Sequence, residues 1–332
     1  MIRLTRTELT RLRWRRSVVV LVAAAFIVPL LILVGTVWET RPYSEAETAQ
    51  SLELARSQPG FEREVSRCEK RPRRFGVRSA EGCEPQILEW YSGLYRRPLD
   101  LREELRESSI GAASIVLALV VLAGTTFAGA DWASGSMSNQ LLFEPRRFRV
   151  WLAKAIAIGL LAAVLTAVVM TLYWSGLHVA AGLRDIDVQE GLTGEAAWQV
   201  ARSTFLAALG AVVGYAVTML SRSTVFTVGA VFAVSVAGTL VVAALPLGPG
   251  KERWFPPNNL LAVLQGRATY YRQPPLECTS PSADPSSWDA AMRAMCQGQA
   301  FITVWQGLAF LLVPAVAVVA LSIWSFGRRD VP

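Results

Sequence analysis

The sequence predicts an all-α membrane protein with six transmembrane helices and two helical insertions outside the membrane. Three observations predict it. First, 52% of the 332 residues are hydrophobic, and they gather into blocks that reach the ~20 residues needed to cross a bilayer core. In lipid every backbone amide must be satisfied within its own segment, so such blocks form helices. Second, arginines collect on alternate connections between the blocks. Third, all four cysteines fall in the two longest connections.

The first block, 17–37, follows Arg11, Arg13, Arg15 and Arg16. A cleaved secretory signal would have a shorter apolar stretch, about 7–15 residues, and a small-x-small site, which is not found before Trp38. The block therefore reads as a span. Residues 38–108 are polar and charged. Ser44 is an N-cap candidate with Glu47 three residues on, the capping-box spacing, and Gln86–Arg97 and Pro98–Glu107 read as further helical pieces. A small helical cap is the reading; partial disorder is the alternative that the charge density allows. Four more blocks follow at 109–130, 150–175, 198–220 and 225–247. Residues 248–299 form the second insertion, and 300–326 the sixth block. Within that insertion Pro256 and Pro257 break the chain, and 258–266 reads as a short amphipathic helix at the interface. It is either a capped surface helix or a lid over an exit path.

Orientation follows from charge near span ends. Arg3, Arg6, Arg11, Arg13, Arg15 and Arg16 precede the first span. Arg146, Arg147, Arg149 and Lys154 lie between the second and third, Arg222 between the fourth and fifth, and Arg328 and Arg329 in the tail. Six spans put all four groups on one face, predicted to be cytoplasmic with both termini. Tyr173, Trp174 and Trp198 at one set of span ends, and Trp132, Trp151 and Trp324 at the other, are expected to form interfacial belts. Arg202, near the outer end of the fourth span, is expected to snorkel. The net charge of +7 does not point to nucleic acid, because positive-inside bias accounts for the flanking arginines. Lysine occurs only at 70, 154 and 251, an arginine bias that suggests a GC-rich bacterial source and hence a bacterial plasma membrane.

Cys68, Cys83, Cys278 and Cys296 are even in number and confined to the outer segments, which reads as disulfides in an oxidising compartment. Three connectivities are possible. Cys68–Cys83 and Cys278–Cys296 are favoured because each closes a local loop. A metal site is the rival, but zinc sites use close cysteine and histidine pairs, and no two cysteines here are close. The single histidine, His178, reads as an interfacial residue, so no metal is expected.

Several chemistries are absent from the sequence. No GxxxxGK[ST] phosphate loop occurs, nor HExxH, nor GxSxG. The chain itself is not expected to be an enzyme or to bind a cofactor. The spans carry hydroxyls and amides at depth, such as Ser114, Thr125, Thr166, Thr303 and Gln306, rather than the charges that ion-coupled transport uses. Gly210 and Gly214 form a GxxxG in the fourth span. Packing inside the chain is the plain reading, and a subunit interface the other.

The most informative stretch is 131–154, DWASGSMSNQLLFEPRRFRVWLAK, a polar and basic island between two spans. It reads as a span end at Asp131, a bend at Gly135–Ser136, a short helix presenting Leu141, Leu142 and Phe143, and a proline turn. Pro145 would suit the first turn of the next helix. Arg146, Arg147 and Lys154 would anchor at the phosphate level.

This pattern resembles the permease subunits of ABC-2 type transporters. There an acidic residue, then Gly-Thr, then Leu-Leu-x-x-Pro-x-Arg and a later Lys mark the cytoplasmic loop between spans two and three. Gly135, Leu141, Leu142, Pro145, Arg147 and Lys154 match; Asp131 stands where Glu is usual and Ser136 where Thr is. Trp132–Ser134 departs from the basic residues common there. The segment FPPNNLLAVLQG also looks like the family's stretch after span five. The resemblance implies a pore of two permease subunits, a homodimer or a heterodimer, driven by two copies of a separate ATPase that would hold ATP and magnesium. Residues 131–149 would be the coupling loop, with Asp131, Gly135, Ser136, Leu141, Leu142, Pro145, Arg146, Arg147 and Lys154 as its coupling residues. Residues 1–16 would be an amphipathic connecting helix on the inner surface, its Ile2, Leu9, Leu12 and Trp14 toward lipid and its arginines toward phosphate. The competing expectation is a non-transporting receptor or assembly protein acting through its disulfide-bonded outer segments.

Overall fold

The computed structural model describes residues 1–248, 250–278, 289, 292–293 and 296–328. The tail arginine Arg329 lies outside them. Six helices are long and apolar enough to cross a membrane. Two compact units divide the chain: Met1–Leu33 with Leu101–Pro332, and Val34–Asp100.

The larger unit begins with α1 (Ile2–Trp14) and the candidate span α2 (Arg16–Glu39). After a single turn, α6 (Leu101–Glu104), come α7 (Ser108–Ala133), α8 (Ser136–Phe143), α9 (Arg147–Gly182) and α10 (Leu192–Ser221). Helices α7, α9 and α10 pack on one another and hold most of the core, including Val116, Phe127, Ile158, Ala211 and Tyr215. Small residues permit this. A Cβ on Gly124 would overlap the Ala211 carbonyl, and one on Gly214 would lie 2.8 Å from the Val121 carbonyl. Gly210 and Gly214 thus bring α10 against α7 within the chain.

The fifth block is less regular. It comprises α11 (Thr224–Phe232), a π-helical turn at Ala233–Ala237, and α12 (Gly238–Ala244). Its outward face, with Val225, Phe226, Phe232 and Leu240, is exposed. Next, α13 (Pro256–Gln265) buries Asn259, Ala262, Val263 and Leu264 and packs against α14 (Val304–Arg328). Pro256 opens α13, where a missing amide hydrogen costs nothing.

A strand pair was not anticipated by the sequence. β1 (Arg267–Tyr271) runs antiparallel to β2 (Gln299–Thr303), with Thr269 opposite Phe301. The start of the expected sixth span, 300–303, is therefore extended. Thr303 and Gln306 then cap α14 reciprocally, side chain to backbone amide.

The smaller unit contains α3 (Glu45–Ser57), α4 (Phe61–Lys70) and α5 (Cys83–Ser92). Ser44 and Glu47 form the capping box that their spacing predicts. The pieces expected at Gln86–Arg97 and Pro98–Glu107 are shorter. Gly93, at φ +65°, ends α5, and only the turn Leu101–Glu104 is helical before α7. Cys68 and Cys83 are disulfide-bonded, as are Cys278 and Cys296, with Cα atoms 5.7 and 5.3 Å apart.

Candidate functional site: a buried charge cluster under the 131–149 loop

Helix α1 stops at Trp14 because Arg15 takes an extended conformation, with φ −82° and ψ 116°. The chain turns there and α2 starts one residue later. On α1, Thr5, Glu8 and Leu12 lie three and four residues apart, on one helix face, and all three are buried. Gly135, at φ +66°, lets the chain leave α7 and enter α8 within two residues. Asp131 in the last turn of α7 and Lys154 two turns into α9 are thereby brought level with Glu8.

Glu8, Asp131 and Lys154 are fully buried side chains. The Lys154 ammonium donates to Glu8 Oε2 at 2.8 Å and to Asp131 Oδ2 at 2.6 Å. Arg11 donates to Asp131 Oδ1 at 3.1 Å, to both oxygens of Glu8, and to Gln140 Oε1 at 3.2 Å. Arg15 donates to Asp131 Oδ1 and, at 2.8 Å, to the Phe127 carbonyl. Ser136 donates to Asp131 at 2.7 Å, and Gln140 donates to Glu8 at 2.5 Å. Both Arg15 and Lys154 lie 5.1 Å from the Phe127 ring centroid.

Three cations thus face two carboxylates, and every carboxylate oxygen is occupied. Burying charges is costly, and the cost is offset only when pairing and hydrogen bonding are complete. Each carboxylate oxygen is already engaged by at least one cation or amide donor. Among the described residues no group of three histidine, cysteine or acidic side chains is placed to hold a metal.

The structure separates the nine island residues named above. Asp131, Ser136 and Lys154 belong to the buried cluster. The Lys154 ammonium is taken up by Glu8 and Asp131 inside the protein and so is not offered to lipid phosphate. Leu141 is half-buried against the core, while Leu142 is 80% and Phe143 91% exposed. Arg146 is exposed; Arg147 is half-buried and donates to the Phe326 carbonyl at 3.4 Å. Pro145 sits before the helix rather than in its first turn, since α9 starts at Arg147 with Arg146 as its N-cap.

Residues of α1 are also redistributed. Leu12 is buried in the protein, and Arg11 and Arg15 point inward to Asp131 rather than outward to phosphate. Neither Arg11 and Arg15 as partners of Asp131 nor Glu8 as a partner of Lys154 was predicted. One signal was available: Glu8 is the sole acidic residue among the first sixteen.

The aromatic belts are incomplete as well. Trp198 and Trp324 are exposed, but Trp151, Tyr173 and Trp174 are buried with internal partners. These are Ser322 at 3.1 Å, Ser108 at 2.8 Å and Gln199 at 3.0 Å. At the end of the larger unit opposite α1, Arg202 is half-buried and donates to the Leu264 carbonyl at 3.4 Å, completing the C-terminus of α13 instead of reaching outward. His178 donates from Nδ1 to the Trp174 carbonyl at 2.8 Å, and its Nε2 lies 3.4 Å from the Thr193 hydroxyl, as a span-end residue would.

The α1 end of the larger unit also holds Arg222, 4.6 Å from the Trp132 ring centroid, and Phe326, whose ring packs on the same tryptophan. The N-terminal helix, the 131–149 loop, the α10–α11 turn and the end of α14 therefore meet at one end. Architecture and site together define a multi-pass helical protein with a buried ionic joint at one end. No family model, curated protein or solved structure matches the chain.

Proposed function

We propose that this chain is the membrane-spanning permease subunit of an ATP-driven exporter of ABC-2 type. It works with a second permease copy or a related subunit and with a separate pair of ATPase subunits. Residues 131–149 are the loop on which an ATPase seats. The observation that carries this reading is the contrast within the loop. The α8 tip presents bare Leu142 and Phe143, while its root is tied through Ser136 and Gln140 to a buried charge cluster shared by α1, α7 and α9. A push on the tip reaches two candidate spans and α1 through short, saturated hydrogen bonds. A loop that served only to reverse the chain would need neither feature.

On this reading the α1 end faces the cytoplasm of a bacterial plasma membrane, with both termini. Helix α1 lies at the inner interface, and the segments 38–108 and 248–299 lie outside, where disulfides persist. Hydrolysis of ATP takes place in the partner. Away from the charge cluster and Arg202, the spans are apolar and dotted with hydroxyls, which suits a lipid-like or amphipathic cargo.

The test is to co-express the chain with a candidate ABC-type ATPase subunit from the same genome. Leu142→Asp with Phe143→Asp is expected to abolish ATPase co-purification and stimulated hydrolysis while leaving the fold intact, because both side chains are already exposed. Retention of the complex by that variant would sink the proposal. It would favour the alternative, a receptor or assembly protein working through Val34–Asp100, a unit with its own apolar core and disulfide.

A further inference from the structure

Across Val34–Asp100 eleven basic residues balance eleven acidic ones, so the unit as a whole is neutral. Its charge is nevertheless segregated. Lys70, Arg71, Arg73, Arg74 and Arg78 fall within nine residues that contain no carboxylate. All five are exposed, and none makes an ion pair among the described residues.

The segment that carries them is not a free tail. Cys68, just before it, is bonded to Cys83. Pro72–Phe75 form a 3-10 turn ended by Gly76 at φ +74°, and the Val77 amide donates to the Pro72 carbonyl at 3.1 Å. Phe75 and Val77 pack onto the core of the unit. Inward anchors therefore alternate with outward cations. Beside the turn, Trp90 lies 6.0 Å from Phe75, between ring centroids, and is 47% exposed.

We infer that this basic turn is a docking surface for anionic lipid headgroups. Guanidinium groups match phosphate with two parallel hydrogen bonds, and four of the five cations are arginine. An exposed tryptophan beside cations is the side-chain pairing that suits a headgroup boundary. Both ends of the unit run directly into candidate spans, α2 and Leu101–Ala133. That tether keeps headgroups at a far higher effective concentration than any soluble anion. A turn already fixed by its disulfide and core loses little entropy on binding.

Phenylglyoxal footprinting of the full-length wild-type chain in nanodiscs tests this. Arginine modification is read by mass spectrometry in phosphatidylcholine discs with and without phosphatidylglycerol. Modification at Arg71, Arg73, Arg74 and Arg78 is expected to slow about fivefold or more in the anionic discs and to recover in high salt. Arg56, outside the turn and paired with Glu84, serves as the internal reference and stays unchanged. Equal rates in the two discs would overturn the inference. So would protection by added polyphosphate in phosphatidylcholine discs when phosphatidylglycerol gives none, which would assign the turn to a soluble polyanion.

Discussion

Asp131→Asn is the sharpest probe of the charge cluster. Asp131 accepts from Lys154, Arg11, Arg15 and Ser136. The amide keeps the shape but removes one negative charge, leaving three cations to share Glu8. Breaking a buried pair on one side costs about 3–5 kcal/mol. Lys154→Met is the informative contrast. It leaves two cations and two carboxylates, with Glu8 still held by Arg11 and Gln140 and Asp131 by Arg11, Arg15 and Ser136. Methionine refills the lysine stem, so the loss falls to roughly 1.5–3 kcal/mol, the worth of the charged hydrogen bonds removed. The double variant restores the balance of the native cluster. It is expected to cost less than the two singles together, by about 0.5–3 kcal/mol. Denaturant titration of the full chain in mixed micelles gives these differences, and tryptic cleavage at Arg11 and Arg13 reports release of α1. An Asp131→Asn variant no weaker than Lys154→Met, or strict additivity, would refute the account of the cluster as a shared ionic joint.

Two further outcomes follow from local geometry. Gly124→Ala drives a methyl into the Ala211 carbonyl and is expected to cost about 1–3 kcal/mol, whereas Gly229→Ala, with open space around it, is expected to gain up to about 1 kcal/mol in the same titration. In the smaller unit, hydrogen bonds from Arg96, then from the Ser44 amide, then from Arg41, hold the Glu47 carboxyl down at about 2 instead of its usual 4.5. Because the folded value is the lower one, Glu47 contributes fully above about pH 4.5, and that contribution is lost as pH falls toward 2. Carboxyl titration by NMR should place the midpoint near 2, and Glu47→Gln should flatten the stability profile across that window.

Features set by near neighbours were legible in the sequence. The Ser44–Glu47 capping box needs only a hydroxyl and a carboxylate three residues apart, and it forms. The cysteine pairs close loops of 15 and 18 residues, and the favoured local pairing is the one observed. The six apolar blocks emerge as six long helices because a run without charge has little choice of backbone in a medium without water. Less regular points depend on contacts that local patterns do not carry. Examples are the end of α5 at Gly93, the π-helical turn in the fifth block, and the extended stretch 299–303, which exists because Arg267–Tyr271 lies beside it.

The island at 131–154 divides along the same line. By itself the sequence determined that a short helix would follow a glycine bend and present Leu141, Leu142 and Phe143. Spacing on one helix suffices for that. Of the three, Leu142 and Phe143 are exposed while Leu141 packs on the core. Only the tertiary structure decided that Asp131 and Lys154 face inward. Glu8, the second carboxylate on Lys154, lies 146 residues from it along the chain. Burial of one charge becomes tolerable only when distant segments deliver the opposite charge to the same place, and no periodicity in the sequence records that meeting.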